Sequence, residues 1–216
     1  MLRYAVKQSY FHSKVADTDL FWVELCFTLM KTKNSEILVA LVDNTGEITG
    51  YAEKILAHLR GDLHLAFSLM IIRRKNNCVE YLLQRRALHK YHSGGLWANT
   101  CCSHPLPDED IQDAARRRVS EELGISEFLN MSNIGQVQYK YHLDNNMIEH
   151  EFDKILVTEV DSVDWQENSD EVMEVRWWSE QDVLQQLLKK PNTFAAWFPK
   201  VFEHTRHNIP QRVVSF

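Results

Sequence analysis

Asp108-Glu109-Asp110-Ile111-Gln112-Asp113-Ala114-Ala115-Arg116-Arg117-Arg118-Val119-Ser120-Glu121-Glu122-Leu123-Gly124 is the stretch on which the reading of this chain turns. Ile111, Ala115, Val119 and Leu123 recur at helical spacing, which predicts an amphipathic helix over Asp108–Leu123, and Gly124 ends it. The other face is dense in charge, with Arg117, Arg118, Glu121 and Glu122 in the last two turns. Arg118 and Glu122 stand i,i+4 and share a side. On an arbitrary helix that pair is a surface ion pair of little worth. Carboxylates on a helix can also hold Mg²⁺ while the ion keeps water and phosphate oxygens as its other ligands.

Working outward, strands are predicted at Ile37–Asp43, His64–Arg73, Cys78–Gln84 and Val172–Trp178. Asn44-Thr45-Gly46 reads as a turn, and Ala52–Leu59 as short and helical or irregular. Trp97–His104 reads as extended. Val137–Leu143 and Met147–Glu159 read as a hairpin across Asp144-Asn145-Asn146. Ser179 is placed to cap a helix running to Lys190, and a last helix is predicted over Pro199–Asn208. A further helix is expected around Asp19–Met30. Strands and helices interleaved with hairpins predict an α/β (α+β) sandwich and not a Rossmann sheet.

The chain has 216 residues, enough for one domain that folds without a disulfide or metal staple. Hydrophobic residues at 44% and charged residues at 25% exclude a disordered chain. Its 24 basic and 30 acidic residues give a net charge of −6, which argues against a general nucleic-acid or anionic-membrane binder. An anionic ligand must then be met by a local basic cluster or by metal. The four cysteines, Cys26, Cys78, Cys101 and Cys102, have no metal-type pair spacing and no disulfide framework, so reduced thiols are expected. With no signal peptide, and with Leu20–Met30 too short to span a bilayer, a cytoplasmic protein is expected.

Three further segments could carry chemistry. In an extended Thr100–Pro105, Cys102 and His104 share one face, and Cys101 and Ser103 the other. In Ile148–Asp153, Glu149, Glu151 and Asp153 share a face opposite Ile148, His150 and Phe152. Taken alone, that carboxylate face reads as solvent-facing; carboxylates so close otherwise raise a pKa or call for a cation. Lys54 and His58 share a side if Ala52–Leu59 is helical, and Arg85, Arg86 and Lys90 make a basic cluster that could hold an anion.

Together these segments resemble type I isopentenyl diphosphate isomerase, a family of the Nudix superfamily. The resemblance runs from Ile37 to about Asn208. It is carried by His64-Leu65-Ala66-Phe67-Ser68, Gln84-Arg85-Arg86-Ala87-Leu88, Trp97-Ala98-Asn99-Thr100-Cys101-Cys102-Ser103-His104-Pro105-Leu106 and Arg117-Arg118-Val119-Ser120-Glu121-Glu122-Leu123-Gly124-Ile125. It implies a Nudix-type α/β/α sandwich with a mixed sheet over residues 35–210, and residues 1–34 as an N-terminal extension. It also implies conversion of isopentenyl diphosphate to dimethylallyl diphosphate by a 1,3-proton transfer. Cys102 and Glu151 would be the acid/base pair, with Tyr141 assisting the carboxylate and Trp197 lying against a tertiary carbocation. His58, His64, His104, Glu149 and Glu151 would bind one divalent metal, Mn²⁺ or Zn²⁺. Glu122, with the Cys102 backbone carbonyl, would serve a second, a Mg²⁺ bridging to the diphosphate. Lys54, Arg86 and Lys90 would hold diphosphate oxygens. His12, His89, His92, His142, His150, His204 and His207 are left as structural or surface residues, and the protein is expected to act as a monomer on a small molecule, without nucleic-acid or membrane partners.

The chemistry agrees with these roles. An unactivated alkene is a poor base, so protonation needs a dry pocket and a stabilised cation, to which an aromatic face adds about 2 kcal/mol when desolvated. A thiol and a carboxyl can each hold or release a proton once their pKa values are tuned. A hydrolase-type Nudix box starts with Gly and has Arg-Glu before the hydrophobic position; here Ser103 and Arg117-Arg118 stand there, while Glu109, Glu121, Glu122 and Gly124 fit. Arg118 in place of a box carboxylate disfavours a diphosphohydrolase, the competing reading. A non-catalytic diphosphate- or nucleotide-sensing module is the third, and it has no need for Cys102 and Glu151 together.

Overall fold

Strand β3 (His64–Lys75) is the spine of the molecule, and Phe67 to Ile72 along it are all buried. A strand covered on both faces reads as a continuous apolar run. Its odd side chains, Phe67, Leu69 and Ile71, pack with Ala115, Val119 and Leu123 of helix α2 (Ile111–Leu123). Its even ones, Met70 and Ile72, pack with Phe198, Val201 and Phe202 of helix α4 (Phe198–Asn208). The predicted stripe on α2 is thus the face it buries. The computed structural model describes residues 37–76, 78–127 and 129–209; the predicted helix around Asp19–Met30 and the extension 1–34 lie outside them.

The sheet is mixed. β1 (Leu38–Val42) pairs antiparallel with β2 (Ile48–Glu53) and touches β3 at Leu41 and His64. β3 continues antiparallel into β4 (Cys78–Arg86), which also pairs with β5 (Trp97–Ala98) and β9 (Val172–Ser179). β6 (Cys101–Ser103) pairs antiparallel with β3, opposite Phe67–Leu69. β8 (Ile148–Glu159) runs parallel to β3 over nine residues, from His64 beside Glu151 to Ile72 beside Glu159. β7 (Ser132–His142) pairs antiparallel with β8, and Asn145 and Asn146 turn between them at φ 62° and 57°. Asparagine is among the few residues that take this left-handed conformation readily. Helix α1 (Lys54–Arg60) follows β2, and α3 (Glu180–Lys189) follows β9, capped by Ser179 Oγ as predicted.

Three expectations change. Ala52 belongs to β2 and the helix begins at Lys54; β2 is half-exposed and contains Gly50, so it lacks the alternation that signals a strand. The predicted extended run Trp97–His104 is two short strands, because the chain crosses there from β4 to β3. Thr100 Oγ1 fills the crossing, accepting from Ile71 N at 2.8 Å and donating to Leu82 O at 2.5 Å. Finally, the carboxylate face of β8 is buried, not solvent-facing. Glu149, Glu151 and Asp153 share their side with Ile155 and Val157 and line the polar end of the α4 layer.

Candidate active site

Local rules bring the first donors together. Glu53 caps α1 by accepting from Ile55 N and Leu56 N, and Gly61 closes it in a left-handed turn at φ 68°. His58 therefore sits one turn above Lys54, whose carbonyl lies 2.7 Å from His58 Nδ1. Three residues beyond Gly61, His64 opens β3 with its Nδ1 2.8 Å from Asp62 O. Both Nδ1 atoms thus donate to carbonyls, which leaves both Nε2 atoms to face inward.

The sheet register supplies the rest. Parallel pairing sets His64 beside Glu151, and antiparallel pairing sets Ser68 beside Cys102. His104 follows β6 on the Cys102 side. Its Nε2 lies 3.1 Å from His64 Nε2 and 2.9 Å from Glu151 Oε1. His58, His64, His104 and Glu151 are all buried, and each places one donor atom within 4.8 Å of the other three. Glu149, expected in this set, stands instead with His58 and His92 in a second such group, 3.7 Å from His58 Nε2. His58 Nε2 and Glu149 Oε2 are buried without a hydrogen-bond partner, a state that costs about 1–3 kcal/mol per group. Buried imidazole nitrogens and an orphan carboxylate oxygen converging in this way fit a divalent cation.

Charge states follow from burial and neighbours. Burial pushes His104 well below the usual histidine range, with His64 adding to it, so it is a neutral imidazole. Burial opposes a proton on His64, but the Glu151 carboxylate overcomes this and raises its pKa. On Glu151 burial is likewise overcome, chiefly by His64 and also by Tyr139, and the carboxyl is held low, at about 2. Burial pushes the Cys102 thiol well up, with Arg86 opposing, so it keeps its proton. Burial and the neighbouring Glu151 raise Asp153, which accepts from Ser68 Oγ at 2.7 Å.

Above this cluster lies a cavity with about 420 Å³ of empty space, open solvent at its mouth included. Cys102, Glu151 and Trp197 line it, and so do four cations, Lys54, Arg86, Lys90 and Arg118. This is the local basic cluster that a net-acidic chain needs for an anionic ligand. Lys54 is crowded enough that burial, then Lys90, Arg118 and Arg86, lower its pKa to about 8. The Arg86 guanidinium lies 5.5 Å from the Trp197 ring centre, and Trp197 Nε1 donates to Asn99 Oδ1 at 3.3 Å. Lys90 pairs with Glu171. Arg85 faces away, near Glu174 and Gly95 O, because alternate strand residues part ways.

Arg118 and Glu122 are not the surface pair that spacing alone suggests. Their side chains are 19% and 6% exposed, and Arg118 Nη2 donates to Glu122 Oε1 at 2.6 Å while Gln84 Nε2 donates to Oε2 at 2.9 Å. Glu122 lines the cavity but belongs to neither donor group found among the described residues.

Two sequence expectations are corrected. The tyrosine on Glu151 is Tyr139, whose hydroxyl donates at 2.6 Å to Glu151 Oε2 and lies 3.0 Å from Asp153 Oδ2. Tyr141 lines a different groove, with Pro199 and His204. The register decides this: Tyr139 pairs with Glu151, and Tyr141 with Glu149. His92, left as structural or surface, lines the cavity beside Glu149. Residues 91–95 have no period to reveal where they point, so nothing in the sequence marked it.

A NUDIX domain model matches residues 62–200. The solved structure of DR0079 from Deinococcus radiodurans has a TM-score of 0.61 to this chain, at 12% identity, covering 80% of this chain and 99% of that one; the likeness is one of fold. The chain belongs to the NUDIX domain family. The isopentenyl-diphosphate Delta-isomerase of Photobacterium profundum is 45% identical over 171 residues, 79% of this chain and 95% of that protein. The protein of the same name from Aliivibrio fischeri is 42% identical over 175 residues, 80% and 97% of the two chains. Within the family, the branch to which this chain belongs is that of the isopentenyl-diphosphate Delta-isomerases.

Proposed function

We propose that this protein interconverts isopentenyl diphosphate and dimethylallyl diphosphate by a 1,3-allylic proton transfer. The observation that carries the reading is that Cys102 and Glu151 line one cavity with a cluster of cations and an indole ring. As the groups stand, the thiol holds a proton and the carboxylate does not, so the pair carries one donor and one acceptor.

In the proposed reaction one member of the pair delivers a proton to the terminal methylene carbon. The alkene π electrons form the new C–H bond and leave a tertiary cation. The other member then removes a proton from the allylic methylene, and that C–H pair becomes the new double bond. Net proton count is unchanged, and proton exchange with water resets the pair. Trp197 turns its apolar body and π face to the cation and helps to exclude water. Lys54, Arg86 and Lys90, with Arg118, hold the diphosphate and fix where the alkene lies. Tyr139 donates to Glu151 and holds the carboxylate's orientation.

His58, His64, His104 and Glu151, with Glu149, are the residues that would hold a divalent metal, Mn²⁺ or Zn²⁺. Such an ion supplies positive charge that holds the Glu151 carboxylate in place and favours its ionised form. Glu122, which lines the cavity, would be the residue to hold a Mg²⁺, and that ion would supply positive charge toward a bound diphosphate. The free thiols of Cys78, Cys101 and Cys102 suit a reducing compartment, and we read the protein as a cytoplasmic monomer. No helix among the described residues is long and apolar enough to cross a membrane.

The test is incubation with isopentenyl diphosphate and Mg²⁺ in D₂O, followed by proton and phosphorus NMR. Deuterated dimethylallyl product without free phosphate is the expected result. Phosphate release would make the protein a diphosphohydrolase, and unchanged substrate would overturn the reading. Cys102→Ser should lower turnover by about 10²–10⁴, the usual worth of a general acid/base group, with substrate binding retained.

A further inference from the structure

The loop after β4 delivers one more imidazole to the metal-ligand cluster. Its path is narrowly set: Gly95 N donates to Arg86 O at 3.0 Å, and a side chain at Gly94 would stand 2.3 Å from Leu88 O. This folds His92 inward until its side chain is 4% exposed, with its ring stacked on His58 at 5.8 Å between centres. Its Nδ1 lies 3.3 Å from Ser93 Oγ, and its Nε2 is aimed at Glu149 Oε2, 3.5 Å away. That carboxylate oxygen and the nearby His58 Nε2 are both buried without a hydrogen-bond partner. His58, His92 and Glu149 place their donor atoms within 4.8 Å of one another.

The two donor groups share His58, and this limits what they can be. His58 Nδ1 is engaged by the Lys54 carbonyl, and Nε2 has one lone pair, so His58 serves one ion and not two. The two groups therefore either compete for His58 or meet on one ion. Opposite donors of a single ion stand about 4.2 Å apart at a metal–nitrogen length of about 2.1 Å, and each group, spread over no more than 4.8 Å, is close to that span.

We propose that His92 is itself a ligand of this ion, a fourth imidazole taken up together with Glu149. The shell is then His58, His64, His92, His104, Glu149 and Glu151, six donors of mixed nitrogen and oxygen type. This rests on the reading of the histidine cluster as a metal site. It adds to that reading a residue for which an uncoordinated role, packing between Tyr91 and Trp197, is the alternative.

The experiment uses the full chain, stripped with a chelator and titrated with Zn²⁺ against a competing indicator. His92→Ala should weaken Zn²⁺ binding by about tenfold or more, since even outer-shell partners of metal ligands are commonly worth about 10–100-fold. In the unaltered protein, long-range proton–nitrogen NMR should show the His92 Nε2 resonance moving during the same titration. His92→Gln provides its assignment, and a second affinity should His92→Ala not fold. Unchanged affinity in the variants, or a His92 resonance that stays in place, overturns the proposal. His104→Ala is the control for the site itself. If it loses Zn²⁺ while the His92 variants do not, the metal site stands and His92 is not part of it. If the unaltered protein binds no Zn²⁺, both readings fall.

Discussion

Tyr139 and Tyr141 differ by two positions, face the same way along β7, and have ring centres 5.5 Å apart. Only the pairing with β8 separates their roles. The Tyr139 hydroxyl donates to Glu151, whereas Tyr141 turns to the groove beside Pro199. Tyr139→Phe removes a hydrogen bond from a buried carboxylate and should lower activity or metal affinity by about 10–100-fold. Tyr141→Phe should leave both close to the unaltered protein. Steady-state kinetics on the two variants checks this, and the opposite ranking would return the assisting role to Tyr141. The same lesson holds for Arg118 and Glu122. Their i,i+4 spacing was plain in the sequence, but their burial was not, and burial turns a weak surface pair into a pair whose disruption strands a charge.

Among the elements, helix α2 does the most to shape the site. Its apolar stripe packs on β3 and its other side sends Arg118 and Glu122 into the cavity. The end of the helix is held by the chain that returns toward β9: Gln166 N donates to Leu123 O at 2.8 Å, and Asn168 N to Glu122 O at 2.9 Å. Gly124 makes that turn possible. It sits at φ 64°, and a Cβ there would be 2.9 Å from Gln166 O. Gly124→Ala imposes the left-handed penalty of about 1–2 kcal/mol, plus the cost of moving a backbone that carries two capping bonds. Urea denaturation should show a loss of at least that size, and an unchanged midpoint would mean that the 166–168 segment yields freely.

Taken whole, the molecule is acidic yet gathers four cations around one cavity. The consequence can be read on Lys54. Without an anion its pKa is lowered to about 8, by burial first and by Lys90, Arg118 and Arg86 next. A bound diphosphate stabilises the charged amine and raises that pKa. Binding above pH 8 must therefore take up a proton, while below pH 8 the amine is already charged. Calorimetry with inorganic pyrophosphate should show the advantage of the unaltered protein over Lys54→Met to be constant below about pH 8. Above it the advantage should shrink by up to about tenfold per pH unit. Taking the ratio removes the pyrophosphate's own titration, and a ratio flat from pH 7 to about 9.5 would count against a binding role for Lys54.

What the sequence determined by itself is whatever depends on near neighbours. The period of Ile111, Ala115, Val119 and Leu123 defines α2, and alternation sorts Cys102 from Cys101 and Glu151 from His150. The shared words from His64 to Ile125 pointed to the family and to most of the ligand set. Tertiary structure alone decided which tyrosine meets Glu151, that the carboxylate face of β8 is buried, that Arg118 belongs to the cavity, and that His92 reaches Glu149. The reason is physical. Periodicity gives a side chain's direction relative to its own element, but its environment depends on register between distant strands and on the path of loops. Those are fixed only when the pairing of β3 with β8, and of β7 with β8, has closed the structure.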